Sequence, residues 1–200
     1  MKNDPKTHLN AKDWEVRAVD LTIARRLVEE YHYSGHASNT AVYLHGLFPR
    51  GAFWAYDCCG IAWWIPPTRS AAEATYPENW QGVLALSRLI VVPSVPTNGA
   101  SFLLGRSMRL IDRKRWPCLV TYADTWRGHT GKIYRATNWQ YAGLTPAYDV
   151  WTLDGKVIAR KAGPKTRTKA EMLALGARFE GRFPKHKFIH VVKEVRRRGD

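Results

Sequence analysis

The sequence predicts an α+β domain in which a mixed β-sheet is flanked by helices. Apolar runs of strand length alternate with helical patterns along the chain, and no internal repeat is present. The longest strand pattern, residues 83–92, is followed by a turn segment and then by a helical pattern over residues 99–115. Two aromatic-rich strand patterns, residues 41–48 and 52–65, are joined by Pro-Arg-Gly, which is typical of a hairpin.

The other elements follow from the same rules. A strand over residues 14–19 precedes a helix that Asp20 or Thr22 caps and that runs to about His32. Ile23, Leu27 and Tyr31 recur at spacings of four, which predicts the buried face of this helix. Residues 66–81 form a polar excursion of a length typical of functional loops. The remaining predictions are a strand over 118–124, a short helix over 129–137, strands over 138–143, 147–153 and 156–160 with a type I′ turn at Asp154-Gly155, a helix over 170–179 and a strand over 188–192.

The length and composition fit one domain. The chain has 200 residues, of which 45% are hydrophobic, enough for a sizeable core. We divide it into a core, residues 1–153, and a basic C-terminal extension, residues 154–200, packed on that core. No apolar run reaches membrane-spanning length, and the polar N-terminus predicts no signal peptide. Three cysteines cannot form a disulfide framework, so we expect a cytoplasmic protein.

The charge is the first indication of function. Lysine and arginine number 31 against 17 acidic residues, which gives a net charge of +14. Residues 152–200 alone hold 14 basic and 5 acidic side chains. Such a field attracts polyanions, and nucleic acid is the first candidate because each neutralised phosphate releases counterions. The alternative is a solvated basic surface without a specific partner.

The segment from residue 83 to residue 115 predicts an anion site. Small residues, Gly99, Ala100 and Ser101, open the predicted helix. They would let a pyrophosphate approach backbone N–H groups at the positive end of the helix dipole. The alternative is that these small residues only allow tight helix packing.

This segment resembles a known cofactor motif. The residues LSRLIVVP and NGASFLLGRSMRL are similar to the acyl-CoA motif of the GNAT acyltransferase fold. The resemblance implies a GNAT-like mixed sheet whose two central strands splay apart, with acetyl-CoA or a related acyl-CoA between them. The usual Arg/Gln-x-x-Gly-x-Gly/Ala loop appears here only as residues 97–100, Thr-Asn-Gly-Ala.

A narrower resemblance covers residues 15–192. On SRLIV, NGASFLLGR, YADTWRGHTGKIYRATNWQYAG and FPKHKFIHV, the chain is identified as a member of the Mom family of phage DNA modification proteins. The resemblance implies a transferase that adds a carbamoylmethyl (acetamido) group to the exocyclic amine of adenine in double-stranded DNA, in the host cytoplasm, and so protects phage DNA from restriction. The alternatives are a conventional acyl-CoA-dependent N-acyltransferase on a small amine, protein amine or aminated hypermodified base, and a catalytically inactive nucleic-acid-binding module.

The resemblance also implies residue roles. Asp124 becomes a base or an orienter of the amine, with a helix N-cap as the alternative. Tyr134 becomes the proton donor to a departing CoA thiolate, with core packing as the alternative. The other catalytic candidates are His32 and Tyr33. The cofactor-binding candidates are Arg88, Asn98, Gly99, Ala100, Ser101 and His129. Since a buried unpaired guanidinium is costly, Arg88 must meet either a phosphate or a carboxylate, Asp124 being one choice.

DNA modification makes further demands. The adenine amine lies inside the base stack, so the base must be flipped out, and flipping needs stacking aromatics and a basic rim. The nucleic-acid candidates are Trp126, Arg127, Lys165, Arg167, Lys185 and Lys187. The aromatic candidates around the cleft are Tyr33, Trp63, Trp64, Trp126 and Trp139, of which Trp126 is expected to be exposed. The resemblance raises iron as a metal, with His32 and Asp124 as ligands. The oligomeric state stays open, a dimer being one option.

Overall fold

The largest sheet of the computed structural model has seven strands, and the structure describes residues 8–32, 39–162 and 164–192. The strands are β1 (Trp14–Ala18), β2 (Tyr43–Pro49), β3 (Gly60–Ile65), β4 (Val83–Val91), β5 (Cys118–Asp124), β6 (Gln140–Leu144), β7 (Tyr148–Leu153), β8 (Lys156–Ile158), β9 (Lys161–Ala162), β10 (Lys165–Thr166), β11 (Arg178–Phe183) and β12 (Lys185–Val191). The helices are α1 (Leu21–Tyr31), α2 (Arg69–Glu73), α3 (Gly99–Leu110), α4 (Lys132–Ala136) and α5 (Lys169–Ala174). No helix of the described part has the length and apolarity needed to cross a membrane.

The large sheet splays at its centre. Its order is β1-β2-β3-β4-β5-β12-β6. β4 and β5 run parallel but pair only through residues 83–85 and 118–120, and beyond these residues the two strands separate. A bulge at Ser87 shifts the register between β3 and β4, because Trp64 pairs with Leu86 while Trp63 pairs with Arg88. The predicted mixed, splayed sheet is confirmed.

Helices cover both faces of this sheet. In β3, Ile61 and Trp63 pack with α1, while Ala62 and Trp64 pack with α3 on the opposite face. Their alternation is the period of two that a strand buried on both sides requires. α2 lies on the same face of the sheet as α1, because Ile65 contacts the hydrophobic clusters beneath both helices. The sheet therefore has an α1/α2 face and an α3/α4 face.

The C-terminal part of the chain contributes to two sheets. β12 lies inside the large sheet, between β5 and β6, so that sheet takes strands from both sides of the predicted boundary at residue 153. A separate three-stranded sheet has the order β11-β7-β8. Its predicted turn is confirmed, because Asp154 and Gly155 have φ angles of 50° and 74°. The predicted helix over 170–179 is shorter, since Gly176 takes a φ of 80° and β11 begins two residues later.

Several other predicted boundaries need correction. The helix predicted to reach residue 115 ends at Leu110, because Ile111 is extended and the Asp112 carboxylate binds the following backbone N–H groups in a turn. The second strand of the predicted hairpin begins only at Gly60, after a ten-residue connection that holds a 3-10 turn at Ala55–Asp57. The buried face of α1 is Ala24, Leu27 and Val28, and Tyr31 is exposed.

Short helices replace two predicted features. The polar excursion over 66–81 holds α2 and a 3-10 segment, Pro77–Gly82. The helix predicted over 129–137 is shorter, Lys132–Ala136, because Gly131 takes a positive φ angle just before it. A separate 3-10 turn, Thr125–Arg127, precedes it and ends at Gly128.

Candidate functional site

Asp124 ends β5 at the point where β4 and β5 stand apart. Its carboxylate is buried, and Oδ2 accepts a hydrogen bond from the Tyr148 hydroxyl at 2.7 Å. Oδ1 accepts from the backbone N–H of Trp126 at 3.2 Å, so Asp124 also caps the 3-10 turn that follows. The Lys185 ammonium lies 3.9 Å from Oδ2. The carboxylate is therefore held by three groups. The predicted alternative, that Asp124 is a helix N-cap, accounts for Oδ1 but not for the contacts of Oδ2.

The β12 strand and the Ser87 bulge bring two cations to Asp124. Lys185 is the residue opposite Asp124 in the β5–β12 register. Burial lowers the pKa of Lys185, the nearby Asp124 opposes this, and the charge of Arg88 lowers it further. Arg88 donates from Nη1 to the Ser87 carbonyl at 2.8 Å and to the Ser87 hydroxyl at 3.2 Å. A half-buried lysine beside a carboxylate and an arginine is an arrangement typical of reactive sites.

His32 borders this cluster at the end of α1. Burial, followed by the charges of Arg88, His129 and Arg127, lowers its pKa to about 4. The imidazole is therefore neutral at neutral pH and can accept a proton. Tyr33, the neighbouring catalytic candidate, lies outside the described residues.

Tyr134 lies on the other face of the sheet. Its ring packs against Trp139 and Phe188, as the core-packing alternative requires. Its hydroxyl hydrogen-bonds with Thr121, and burial raises the pKa of Tyr134 in spite of that bond. The Thr121 hydroxyl donates to the Leu86 carbonyl at 3.4 Å, across the opening between β4 and β5. A protonated phenol thus lies at the strand opening.

The strand alternation separates these groups. Because side chains alternate along a strand, Asp124 lies on the same side of β5 as Val120 and Tyr122, which pack on the α1/α2 face. Thr121 has the parity of Leu119 and Ala123, which pack on the α3/α4 face. A carboxylate with cations therefore lies on one side of the strand opening, and a phenol with a hydroxyl lies on the other.

The start of α3 is built for close packing. Asn98 adopts a left-handed conformation with φ 72°, and the Ser101 hydroxyl donates to its carbonyl at 2.9 Å. Gly99 is buried, and a Cβ there would lie 2.2 Å from the Val95 side chain. The packing alternative therefore accounts for Gly99. The preceding loop is covered by the N-terminal segment, in which Leu9 donates its N–H to the Thr97 carbonyl at 2.9 Å.

A cavity of about 920 Å³ runs along α3 and the end of α4. It extends from Ser101 to residues 190–192, at the end of β12, and is lined by the cations Arg106, Arg109 and Arg113. Residues 86–91 of β4 keep their pairing with β3 and, among the described residues, have no strand on the β5 side. The unpaired strand backbone could bind an extended ligand, and the basic cavity along α3 could bind its anionic groups.

The described residues do not fit an iron site. They contain no group of three or more His, Cys, Asp or Glu side chains arranged to hold a metal ion. The Asp124 carboxylate is taken by Tyr148 and Lys185, and the charge of Arg88 lies close to both Lys185 and His32. A cationic surrounding disfavours a further cation.

The predicted nucleic-acid residues occupy four different environments, one of which is that of Lys185 beside Asp124. Arg127 is exposed and stacks over the Trp126 ring, 4.2 Å from its centroid, and both line a cavity of about 480 Å³ beside β11. Lys165 is exposed, and its ammonium lies 3.1 Å from the Glu171 carboxylate. Arg167 and Lys165 together line a cavity of about 400 Å³. Lys187 is half-buried and donates to the Ala74 carbonyl at the end of α2, at 3.1 Å. His129 is exposed just after the Asp124 turn.

Sequence reasoning misplaced the aromatic side chains. Trp63, Trp64 and Trp139 are buried in the core, not around a cleft. Trp126 is half-buried. Sequence reasoning also missed Tyr148, whose hydroxyl reaches Asp124 from β7. Nothing local in the sequence indicates a hydrogen-bond partner 24 residues away. The polar pair Ser87-Arg88 inside an apolar run was the available signal for the bulge.

Comparisons with known proteins agree with this architecture. A model of the Mom protein family matches residues 13–198. The methylcarbamoylase of Escherichia phage Mu is 25% identical over 152 residues, which cover 73% of this chain and 60% of that protein. The chain thus spans less than two thirds of that relative's length.

Two solved structures share the fold at low identity. The first is NAA60 of Arabidopsis thaliana in complex with a bisubstrate analogue, with a TM-score of 0.56 and 8% identity over 90% of this chain and 98% of that one. The second is spermidine N-acetyltransferase of Vibrio cholerae in complex with CoA and spermine, with a TM-score of 0.52 and 8% identity over 90% and 96%. At such identities the likeness establishes the fold alone.

Proposed function

The chain belongs to the Mom protein family, and from this membership and the site we propose that it transfers a carbamoylmethyl (acetamido) group to the exocyclic amine of adenine in double-stranded DNA. Phage DNA modified in this way in the host cytoplasm would resist restriction enzymes. The observation that carries the proposal is the Asp124 cluster on the α1/α2 face, with Tyr134 bonded to Thr121 of the same strand on the opposite face.

The Asp124 cluster suits the acceptor. An exocyclic amine presents N–H donors, and the Asp124 carboxylate can accept one of them while Tyr148 and Trp126 hold it in place. When the nitrogen bonds to carbon it must lose a proton, and neutral His32 can accept it. Because the adenine lone pair is delocalised into the ring, the amine is a weak nucleophile, so orientation by fixed groups matters as much as proton transfer.

The α3/α4 face suits the donor. A bound acyl-CoA would supply a two-carbon unit on a thioester sulfur. Bonding the methyl carbon of that unit to the adenine nitrogen breaks a C–H bond and requires a two-electron oxidant, and forming the carboxamide releases the thiolate and requires an ammonia-level nitrogen donor, so the proposed transfer takes both co-reactants besides acyl-CoA. Ser101 and Arg106 line the cavity that would hold its nucleotide end, and the Tyr134 hydroxyl can give a proton to the departing thiolate because burial keeps it protonated.

DNA is the acceptor class that the charge favours. The net charge of +14 and the exposed cations Arg127 and Lys165 attract a phosphate backbone. Trp126, half-buried between Asp124 and Arg127, is the aromatic that we place beside the flipped base.

A second candidate is conventional acyl transfer from acyl-CoA to an amine. It is favoured by Tyr134, because a phenol at the strand opening is what plain thioester chemistry requires. It predicts an acyl adduct on a small amine, a protein amine or an aminated base, and indifference to unmodified adenine.

One experiment separates the candidates. The protein is expressed with a plasmid, the plasmid is digested to nucleosides, and these are weighed by mass spectrometry, with Asp124→Ala as the inactive control. We expect a deoxyadenosine heavier by a carbamoylmethyl group, absent from the control. A mass shift on another base would reject adenine. Unmodified DNA from folded protein would reject DNA modification and favour the second candidate.

A further inference from the structure

The connection between β2 and β3 presents three aromatic side chains to solvent. This aromatic loop, residues 50–59, exposes 89% of Phe53, 74% of Trp54 and 81% of Tyr56. Among the described residues, the next most exposed aromatic side chain is Tyr141, at 44%. Aromatic rings bury about 150–250 Å² each when covered, so three neighbouring uncovered rings form an apolar patch that the core does not use.

The aromatic loop is held rigidly. The Asp57 carboxylate, the loop's one acidic group, accepts the Trp54 backbone N–H at 3.2 Å within a 3-10 turn. Arg17 donates to the Ala52 carbonyl at 2.7 Å, and the Arg26 guanidinium lies 5.1 Å from the centre of the Tyr56 ring. The rings are therefore held outward by a structured turn, so little conformational entropy is lost when they bind.

The loop lies at the end of the sheet that holds the candidate site. Gly60, at the start of β3, pairs with Val91 at the end of β4, and β4 runs parallel to β5. Residues 50–59 therefore lie at the same sheet end as Asp124. The contact between Arg26 of α1 and Tyr56 places them toward the α1/α2 face, where the Asp124 cluster also lies.

We propose that the aromatic loop opens duplex DNA, its rings wedging between or stacking on the bases next to the adenine that is flipped toward Asp124. The inference rests on the proposed function and adds to it the element that opens the base stack. Arg26 and Arg50 flank the rings and can contact the phosphates, and the net charge of +14 favours DNA over an apolar protein partner. Apolar wedges that unstack base steps, and aromatic side chains that stack on bases, are established modes of DNA binding.

The test uses the purified full chain and needs no donor. Short duplexes and single strands carry 2-aminopurine, which fluoresces more when unstacked, in place of one adenine. The variant combines Phe53→Ser, Trp54→Ser and Tyr56→Ser. The control is Leu110→Ser, which removes a 49% exposed apolar side chain at the end of α3, outside the aromatic loop.

We expect the wild type and the Leu110 control to raise the duplex fluorescence. The triple variant should give an increase at least about fivefold smaller at saturating protein, while its affinity for the single strand stays within about threefold.

Three results would overturn the inference: no fluorescence increase with the wild type, an undiminished increase with the triple variant, or an equal loss of affinity for duplex and single strand. Loop-dependent binding to anionic lipid vesicles with unchanged duplex opening would also overturn it, in favour of a membrane surface. Failure of the proposed function would show instead in the plasmid assay, as unmodified nucleosides from the wild type.

Discussion

The two faces of the splayed sheet are chemically unlike. On the α1/α2 face, Asp124, Lys185, Arg88 and His32 form a cluster of titratable groups. On the α3/α4 face, the strand opening is bordered by Tyr134, whose ring is packed among other aromatic side chains. The contrast suggests a division of labour in which one face binds and orients the acceptor amine and the other binds the donor. Substitutions that are matched across the two faces can test this division.

The largest effect is expected at the acceptor face. Asp124→Asn keeps the shape of the side chain but removes the charge beside Lys185 and weakens acceptance of the amine. We expect modification of deoxyadenosine to fall by about 10³-fold, with a folded protein. Nucleoside mass spectrometry of plasmid DNA measures it. The control is Asp149→Asn, another ion-paired carboxylate, bound to Arg160 and Arg182 away from the strand opening. Comparable activity of the two variants would contradict the role of Asp124.

A smaller loss is expected at the donor face. Tyr134→Phe removes the hydroxyl bonded to Thr121 and keeps the ring that packs on Trp139 and Phe188. Loss of a general acid predicts a turnover about 10²-fold lower, with an unchanged affinity for DNA. Tyr141→Phe, which removes the hydroxyl beside His186, is the control. If Tyr134→Phe instead weakens DNA binding and leaves turnover intact, the phenol does not belong to the donor side.

One histidine on each face of the sheet has a lowered pKa, so the pH dependence of stability and of activity can distinguish the two faces. Burial lowers the pKa of His45, bonded to Ser107 beneath α3, to about 4, and His32 has a similarly lowered pKa on the opposite face. Between pH 6.5 and about 4 the unfolded chain binds protons that the folded protein does not, so stability falls as the pH falls. The loss attributable to His45 is up to about 3 kcal/mol.

The measurement is urea unfolding between pH 4 and pH 7. His45→Asn should flatten the pH dependence of the unfolding free energy and leave the pH profile of modification unchanged, whereas His32→Asn should alter the activity profile. A changed activity profile in the His45 variant would show that the α3/α4 face also handles the acceptor proton.

The smallest effects are expected within α3. Gly99→Ala puts a methyl group into the Val95 side chain and should cost about 1–3 kcal/mol. Gly105→Ala meets nothing within 4 Å and should stabilise the helix by about 0.5–1 kcal/mol. Thermal unfolding of both variants checks the signs. A neutral Gly99→Ala would show that the close approach at the start of α3 is not required for packing.

Much of the fold could be predicted from local patterns, and much of the site could not. The mostly apolar run at residues 118–124 predicts β5 with both of its ends, and the turn at Asp154-Gly155 is set by its own two residues. Lys185 and Tyr148 reach Asp124 only through strand pairing and packing across the fold.

The aromatic side chains show the same limit. Composition alone does not separate the buried Trp63 from the exposed Trp54, nine positions earlier in the sequence. The hairpin prediction placed residues 52–59 in a strand, and the 3-10 turn that exposes Trp54 depends on a cap from Asp57. That local hydrogen bond is not visible in a strand pattern, so the exposure of Trp54 could not be predicted from it.

The most direct test of the two-face account is hydrogen–deuterium exchange of the wild type with CoA and, separately, with duplex DNA. We predict that CoA protects the backbone amides of α3 and α4, and that DNA protects those of α1, the aromatic loop and residues 125–129. Protection of the same segments by both ligands, or protection of α3 by DNA and of α1 by CoA, would contradict the assignment of donor and acceptor to opposite faces of the sheet.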